Sequence, residues 1–256
     1  MKKFCLSLML VLCSVMCFSA CSSSKLYSLV SKNIAEVRHN LYVGETENIK
    51  VSLISGTREK DYVINGYCTE PVEFGVLTFT LKNDVVMPEV VNYVLTVGTT
   101  RYDGVLEKNP YDGTYVCDVK KIIDTTDVVS AKIIAGEFVD SVQISNVASG
   151  WNVNHENALK LACSELKKEL NTLIENDEFC GECYIKILND TELKENHYFW
   201  YVNFVSRHGK TFAVIIDPIS NEIMAKKTIW QKICKKKLKA NNFVRFFSTI
   251  LKSLYF

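Results

Sequence analysis

Between Leu26 and about Val147 apolar residues recur at every second position, and no convincing helical stripe interrupts them. Ile49, Val51 and Leu53 share one face of NIKVSLISG, and Leu77, Phe79 and Leu81 share one face of GVLTFTLKN. Val91, Tyr93, Leu95 and Val97 follow in VVNYVLTVG, then Tyr115, Cys117 and Val119 in GTYVCDV. A period of two belongs to a pleated strand with one face in a core. The turn-forming runs SGTREKD, LKND, RYDG and EKNPYDG separate these strands. Each strand has one oily face that a second sheet must cover, so the pattern predicts an antiparallel β-sandwich over residues 26–148.

The pattern changes at Ser149-Gly150-Trp151. Leu159, Ala162, Cys163, Leu166, Leu170 and Leu173 then fall at spacings of three and four behind Asn154, a residue suited to an N-cap. One amphipathic helix of about five turns is expected. Strand patterns resume in CYIKILND, HYFWYVNFV, KTFAVIID and EIMAKKTI. Residues 149–229 therefore read as a helix packed on a four-stranded antiparallel meander, and the whole chain as mainly β plus α+β.

Two segments resemble known families. Asp112-Gly113-Thr114-Tyr115-Val116-Cys117 resembles the end of an immunoglobulin-type domain, where a tyrosine stands two residues before the second core cysteine. Cys68, 49 residues upstream, stands where that resemblance would put the bonded partner, although no tryptophan lies between the two. FWYVNFVSRHGKTFAVIIDPISNEIM, behind the helix start, resembles the PepSY-type modules of exported bacterial proteins. Trp200, Tyr201, Asp217 and Glu222 carry the match over roughly residues 154–229, with Asn221 where a turn glycine is usual. Such modules are associated with peptidase inhibition or regulation and with extracellular binding, so the resemblance implies a non-catalytic role. Core packing and turn formation are the plainer roles for these four residues.

The N-terminus supplies an address. Lys2 and Lys3 precede an apolar run from Phe4 to Phe18, too short for a spanning helix and arranged as a secretory signal over residues 1–20. Phe18-Ser19-Ala20-Cys21 resembles the lipobox of bacterial lipoproteins, with Phe18 where leucine is usual. The resemblance implies diacylglycerol on the Cys21 thiol, cleavage before it, and a short tether over residues 21–25. Two acyl chains anchor durably, at about 0.8 kcal/mol per buried methylene.

Charge is unevenly spread. The formal net charge is +1, but residues 226–256 hold eight lysines, one arginine and no acid. With Lys2 and Lys3 also set aside, residues 21–225 carry about −10. An acidic body is poorly suited to nucleic acid, and no such partner is expected. In the tail, 230–256, Phe243, Phe246, Phe247 and Ile250 lie on one helical stripe with Leu251 and Leu254, behind Lys235, Lys236, Lys237 and Lys239. An interfacial helix on anionic lipid or a wall polymer fits this pattern. The rival readings are a helix docked on the protein's own sheet, a disordered end, or an atypical reading frame after Thr228.

Beyond the signal and lipobox the cysteines are Cys68, Cys117, Cys163, Cys180, Cys183 and Cys234, an even number that permits disulfides in an exported chain without specifying their pairing. Cys180-Gly181-Glu182-Cys183 has thioredoxin-like spacing but lacks the strand before and helix after that such redox sites use. A local disulfide, with Cys163 as a further partner, is the reading preferred here. His155, His197 and His208 form no metal-binding motif, and no phosphate loop, GxSxG or HExxH occurs. No catalytic residue, metal or cofactor is expected. The functional expectation is a lipid-anchored surface protein that binds a protein, peptide or envelope polymer, with a thiol-dependent oxidoreductase at Cys180 and Cys183 as the alternative.

Overall fold

A computed structural model describes residues 24–60, 67–82, 90–189 and 197–230. Residues 1–20, read above as a signal, Cys21 and the basic tail beyond Trp230 lie outside them. The described chain is mainly β.

Strands β1 (Ile34–Glu45), β2 (Ile49–Glu59) and β3 (Pro71–Leu81) form one antiparallel meander. β4 (Val91–Val97), β5 (Thr100–Lys108) and β6 (Tyr115–Asp118) form a second, and β7 (Val129–Ala135) and β8 (Phe138–Asn146) a hairpin. The spatial order is β1-β2-β3-β6-β5-β4-β7-β8, and β8 returns to β1 with Tyr42 opposite Asn146 and Val43 opposite Ser145. The expected immunoglobulin-like sandwich is thus an eight-stranded closed barrel. Both architectures ask each strand for one inward face, so period-two alternation cannot separate them. The β1–β8 pairing makes the difference, because it consumes the two edges a sandwich would leave open. Val51, Leu53, Leu77, Phe79, Leu95 and Ile133 are among the fully buried side chains that fill the interior.

β1 belongs to two structures at once. Its first half runs parallel to β11 (Gly181–Asn189), which follows the short hairpin of β9 (Ile174–Glu175) and β10 (Glu178–Phe179), with Ile34 opposite Cys183 and Arg38 opposite Lys186. Its second half closes the barrel. The strand can serve both because its register against β2 shifts between Val37 and Asn40, a bulge that bends it from one neighbour toward the other. Two glycines permit the close approach: a Cβ on Gly56 would run into the Val37 carbonyl, and one on Gly44 into the Gln143 carbonyl.

β11, β12 (Tyr198–Ser206), β13 (Lys210–Ile216) and β14 (Ile223–Trp230) form an antiparallel meander that extends the same sheet. Helix α2 (His155–Glu165) lies over one face, capped by the Asn154 side chain, which accepts from the Asn157 amide at 2.9 Å. The single helix of the sequence reading is split: Leu166 leaves helical geometry, and α3 (Lys167–Asn171) follows. Leu159, Ala162, Cys163, Leu166, Leu170 and Leu173 are all buried against Val202, Phe204 and Val214. A further helix, α1, occupies 24–30 where only strands were expected, and its Leu26 and Val30 enter this same core. Its described residues, 24–30, are too few to set a visible period in the sequence.

Candidate functional site

The β6–β7 connection, 119–128, crosses the barrel end and is tied down by two reciprocal pairs. The Ser55 hydroxyl donates to the Ile123 carbonyl at 2.8 Å and accepts from its amide at 3.1 Å. Tyr42, buried on β1, does the same with Thr125, at 3.2 and 3.1 Å. Ile123 is thereby drawn into the barrel core. The polar run Asp124-Thr125-Thr126-Asp127 is left along the rim, facing the end of β8 and residues 148–149.

Between them lies an open groove of about 810 Å³, lined by Asp124, Thr126, Gln143, Ser145, Asn146 and Ser149 among others. Its far wall is held rigidly: the Asn146 amide donates to the Asn40 side-chain oxygen at 2.9 Å, while the Asn146 side-chain oxygen accepts from the Ala148 amide at 3.0 Å. Among the described residues lining the groove there are carboxylates, hydroxyls and amides but no thiol, imidazole or cation. Such a surface can exchange hydrogen bonds with hydroxyl and amide groups of a ligand.

Beside the groove, at the β1 bulge, the His39 ring sits 5.1 Å from that of His155, the first residue of α2. Burial lowers the pKa of both rings; the second imidazole lowers that of His39 further, while Asp124 opposes the shift at each. The pair marks where barrel, helix and crossover loop converge.

A second polar cluster lies on the face of β11 turned away from the helices. Lys186 and Glu36, each 2% exposed, form an ion pair at 2.6 Å, and Arg38 contacts the other Glu36 oxygen at 2.5 Å. Burial pushes the Glu36 carboxyl up, but the two cations outweigh it and hold the carboxyl below its ordinary value. Burial and the nearby Arg38 push Lys186 down to about 8. One carboxylate thus serves two cations. Nearby, the Tyr184 hydroxyl donates to buried Glu182, and the Thr69 amide donates to buried Glu59 at 3.2 Å. This cluster locks β1 to β11.

The cysteines are dispersed. Cys68 packs with Ala35, Tyr184 and Val205, whereas Cys117 on β6 packs against the barrel core, so the two are not brought together. Cys163 on α2 and Cys183 on β11 share the helix-side core, and Cys180 precedes β11. All five are free thiols in the structure. Burial pushes Cys68 and Cys163 up to about 12 and Cys183 well above its ordinary value, the reverse of the activation that thiol exchange needs. Among the described residues no three His, Cys, Asp or Glu side chains gather as a metal site, and no helix is long and apolar enough to cross a membrane.

The four residues of the PepSY-like match have structural positions. Trp200 is buried under the helices and donates from Nε1 to the Val153 carbonyl at 2.7 Å; Tyr201 points to the opposite face. Asp217 accepts from the Ile219 and Ser220 amides at 2.8 and 3.0 Å, and its own amide donates to the Glu222 carbonyl at 2.9 Å. The Ser220 amide is the main reason that its carboxyl sits below its ordinary value. Asn221 takes the left-handed conformation at φ 66°, as its turn position requires. Lysines 235, 236, 237 and 239, Phe243, Phe246, Phe247, Ile250 and Cys21 lie outside the described residues.

The sequence reading missed the groove residues Asp124, Gln143, Asn146 and Ser149. The one local signal was the polar island DTTD between Ile122-Ile123 and Val128-Val129. Comparison of the chain with protein-family models, with curated proteins and with solved structures gives no match.

Proposed function

We propose that this chain is a lipid-anchored bacterial envelope protein that binds a protein, peptide or envelope polymer without converting it, and that the groove between the β6–β7 crossover and the end of β8 holds that partner. The observation that carries the reading is the groove itself, whose open polar walls are fastened by paired hydrogen bonds to Tyr42, Ser55 and Asn146. Rigid walls lower the ordering cost of binding an extended partner. The Cys21 lipobox pattern supports the address. The PepSY-like pattern of 149–229 supports a binding role, with regulation of a peptidase as the form such modules suggest.

The test uses the full lipid-anchored chain in detergent, titrated with soluble peptidoglycan fragments and separately with short extended peptides. One probe should bind saturably, and the double variant Asp124→Asn, Gln143→Ala should weaken it about tenfold, or about 1.4 kcal/mol. Binding of neither probe, or equal binding by the variant, would sink the groove as the site. Intact mass and fractionation of the native chain beside Cys21→Ala check the anchor: both acyl mass and membrane association should vanish together in the variant.

A further inference from the structure

Formal charge along the groove is of one sign. Asp124 and Asp127 stand exposed in its crossover wall, and among the described residues neither carboxylate takes part in an ion pair. Asp124 acts electrostatically on His39 and His155 without bonding to either ring. Lys120 and Lys121, the nearest basic residues along the crossover, precede the Ile123 anchor and lie outside the lining. Asp127 is set in place by its neighbours. Its amide donates to the Thr125 hydroxyl at 3.0 Å, and its carboxylate lies over Gly98, where a Cβ would come within 2.7 Å of Oδ2. The Gly98 amide in turn donates to the Val128 carbonyl at 3.1 Å. Val128 is thereby held at the groove with 64% of its surface exposed, an apolar side chain beside two carboxylates.

We propose that the groove receives a lysine or arginine side chain of an extended peptide partner, with Val128 against its methylene stem and Asp124 and Asp127 facing its charge. The proposal rests on the groove being the binding site and names the chemistry of its occupant. Lysine and arginine are the side chains that carry an apolar stem and a cation at its tip, the complement of the Val128 and aspartate wall. Gln143, Ser145 and Ser149 across the groove supply the hydrogen-bonding groups that peptide amides and carbonyls use.

Charge complementarity selects this occupant over a glycan. Residues 21–225 carry about −10, so the field around the groove attracts cations and repels an anionic polymer. A neutral glycan would bring no charge to either carboxylate and would find no exposed aromatic face to stack on. Tyr42, the single aromatic residue of the lining, is 2% exposed and has its hydroxyl engaged by Thr125. Exposed ion pairs are individually weak, so the two carboxylates act as a selector added to the hydrogen bonds of the groove rather than as its whole affinity.

The test titrates the full chain in detergent with a fluorescein-labelled alanine peptide carrying two lysines, and with the same peptide acetylated at both Nζ atoms. The lysine peptide should bind saturably and about tenfold more tightly than its acetylated form, a preference that shrinks as salt is raised. In Asp124→Asn, Asp127→Asn the preference should fall to less than about twofold, whereas Glu107→Gln, Glu137→Gln, at the far end of the barrel, should keep it. Gln143→Ala should weaken both peptides alike. Equal binding of the two peptides, still weakened by Gln143→Ala, would overturn the cation selectivity and leave the groove as the site. A lysine preference lost equally in both carboxylate pairs would overturn it as attraction to the acidic body at large. Binding that ignores Gln143→Ala and the aspartate pair would sink the groove itself, and saturable binding of peptidoglycan fragments alone would overturn the peptide as occupant.

Discussion

Along β7 burial alternates, with Val129, Ala131 and Ile133 turned inward and Lys132 in water, whereas β12 is buried at every position from Phe199 to Ser206. Both strands are antiparallel to both neighbours. They differ in what lies on their second face. A barrel strand has a core on one side and solvent on the other, so polar residues can sit at every other place. β11, β12 and β13 are covered on both sides, and their polar residues are enclosed rather than hydrated: Glu182 and Lys186 on β11, Asn203 on β12 and Thr211 on β13. An alternating strand tells of one core, while a continuously buried strand with charges inside tells of a second layer. Buried charges are tolerable only when paired, and the Glu36, Arg38 and Lys186 cluster meets that condition at the seam between the regions.

The largest expected effect probes that seam. Lys186→Met should destabilise the fold by about 3 kcal/mol, measured by chemical denaturation, because it leaves Glu36 buried with only Arg38 beside it. The sign of the acid response follows from the Glu36 carboxyl, whose folded pKa lies below its unfolded value of 4.5. Its stabilising contribution is complete above pH 4.5 and is lost as pH falls through the folded value. The variant should therefore show a shallower acid limb than the parent. An unchanged midpoint and limb would mean that the cluster does not join the two regions energetically.

Gly56→Ala attacks the same junction through the backbone. The added methyl meets the Val37 carbonyl at the bulge where β1 passes from β11 to β8, and about 2 kcal/mol of destabilisation is expected. Because β1 belongs to both regions, hydrogen exchange should rise together in β2–β3 and in β11–β12. Exchange confined to the barrel would separate the two as independent units.

The smallest effect concerns His39 and His155. Both have folded pKa values below 6.5, so the unfolded chain takes up protons first as pH falls, and stability declines through that range. Replacing both with glutamine should flatten the stability profile between about pH 5 and 7 by less than about 1 kcal/mol, since the rings are partly exposed and screened. A profile as steep as the parent's would place the titrating groups elsewhere.

The strand pattern, the stripe from Leu159 to Leu173, the Asn154 cap and the Asn221 turn were legible because each rests on residues within a few positions of one another. The groove was not. Asp124 and Gln143 are 19 residues apart on different elements, and their meeting depends on Ser55 and Tyr42 reaching across the barrel end to hold the crossover. Barrel closure was equally hidden, since the decisive contact joins Tyr42 to Asn146 over 104 residues and leaves the local alternation unchanged. Period and capping are local properties of the covalent chain and can be read along it. Which face meets which, where β1 forks, and why Lys186 is sealed beside Glu36 depend on contacts between distant residues, and those only the tertiary structure decides.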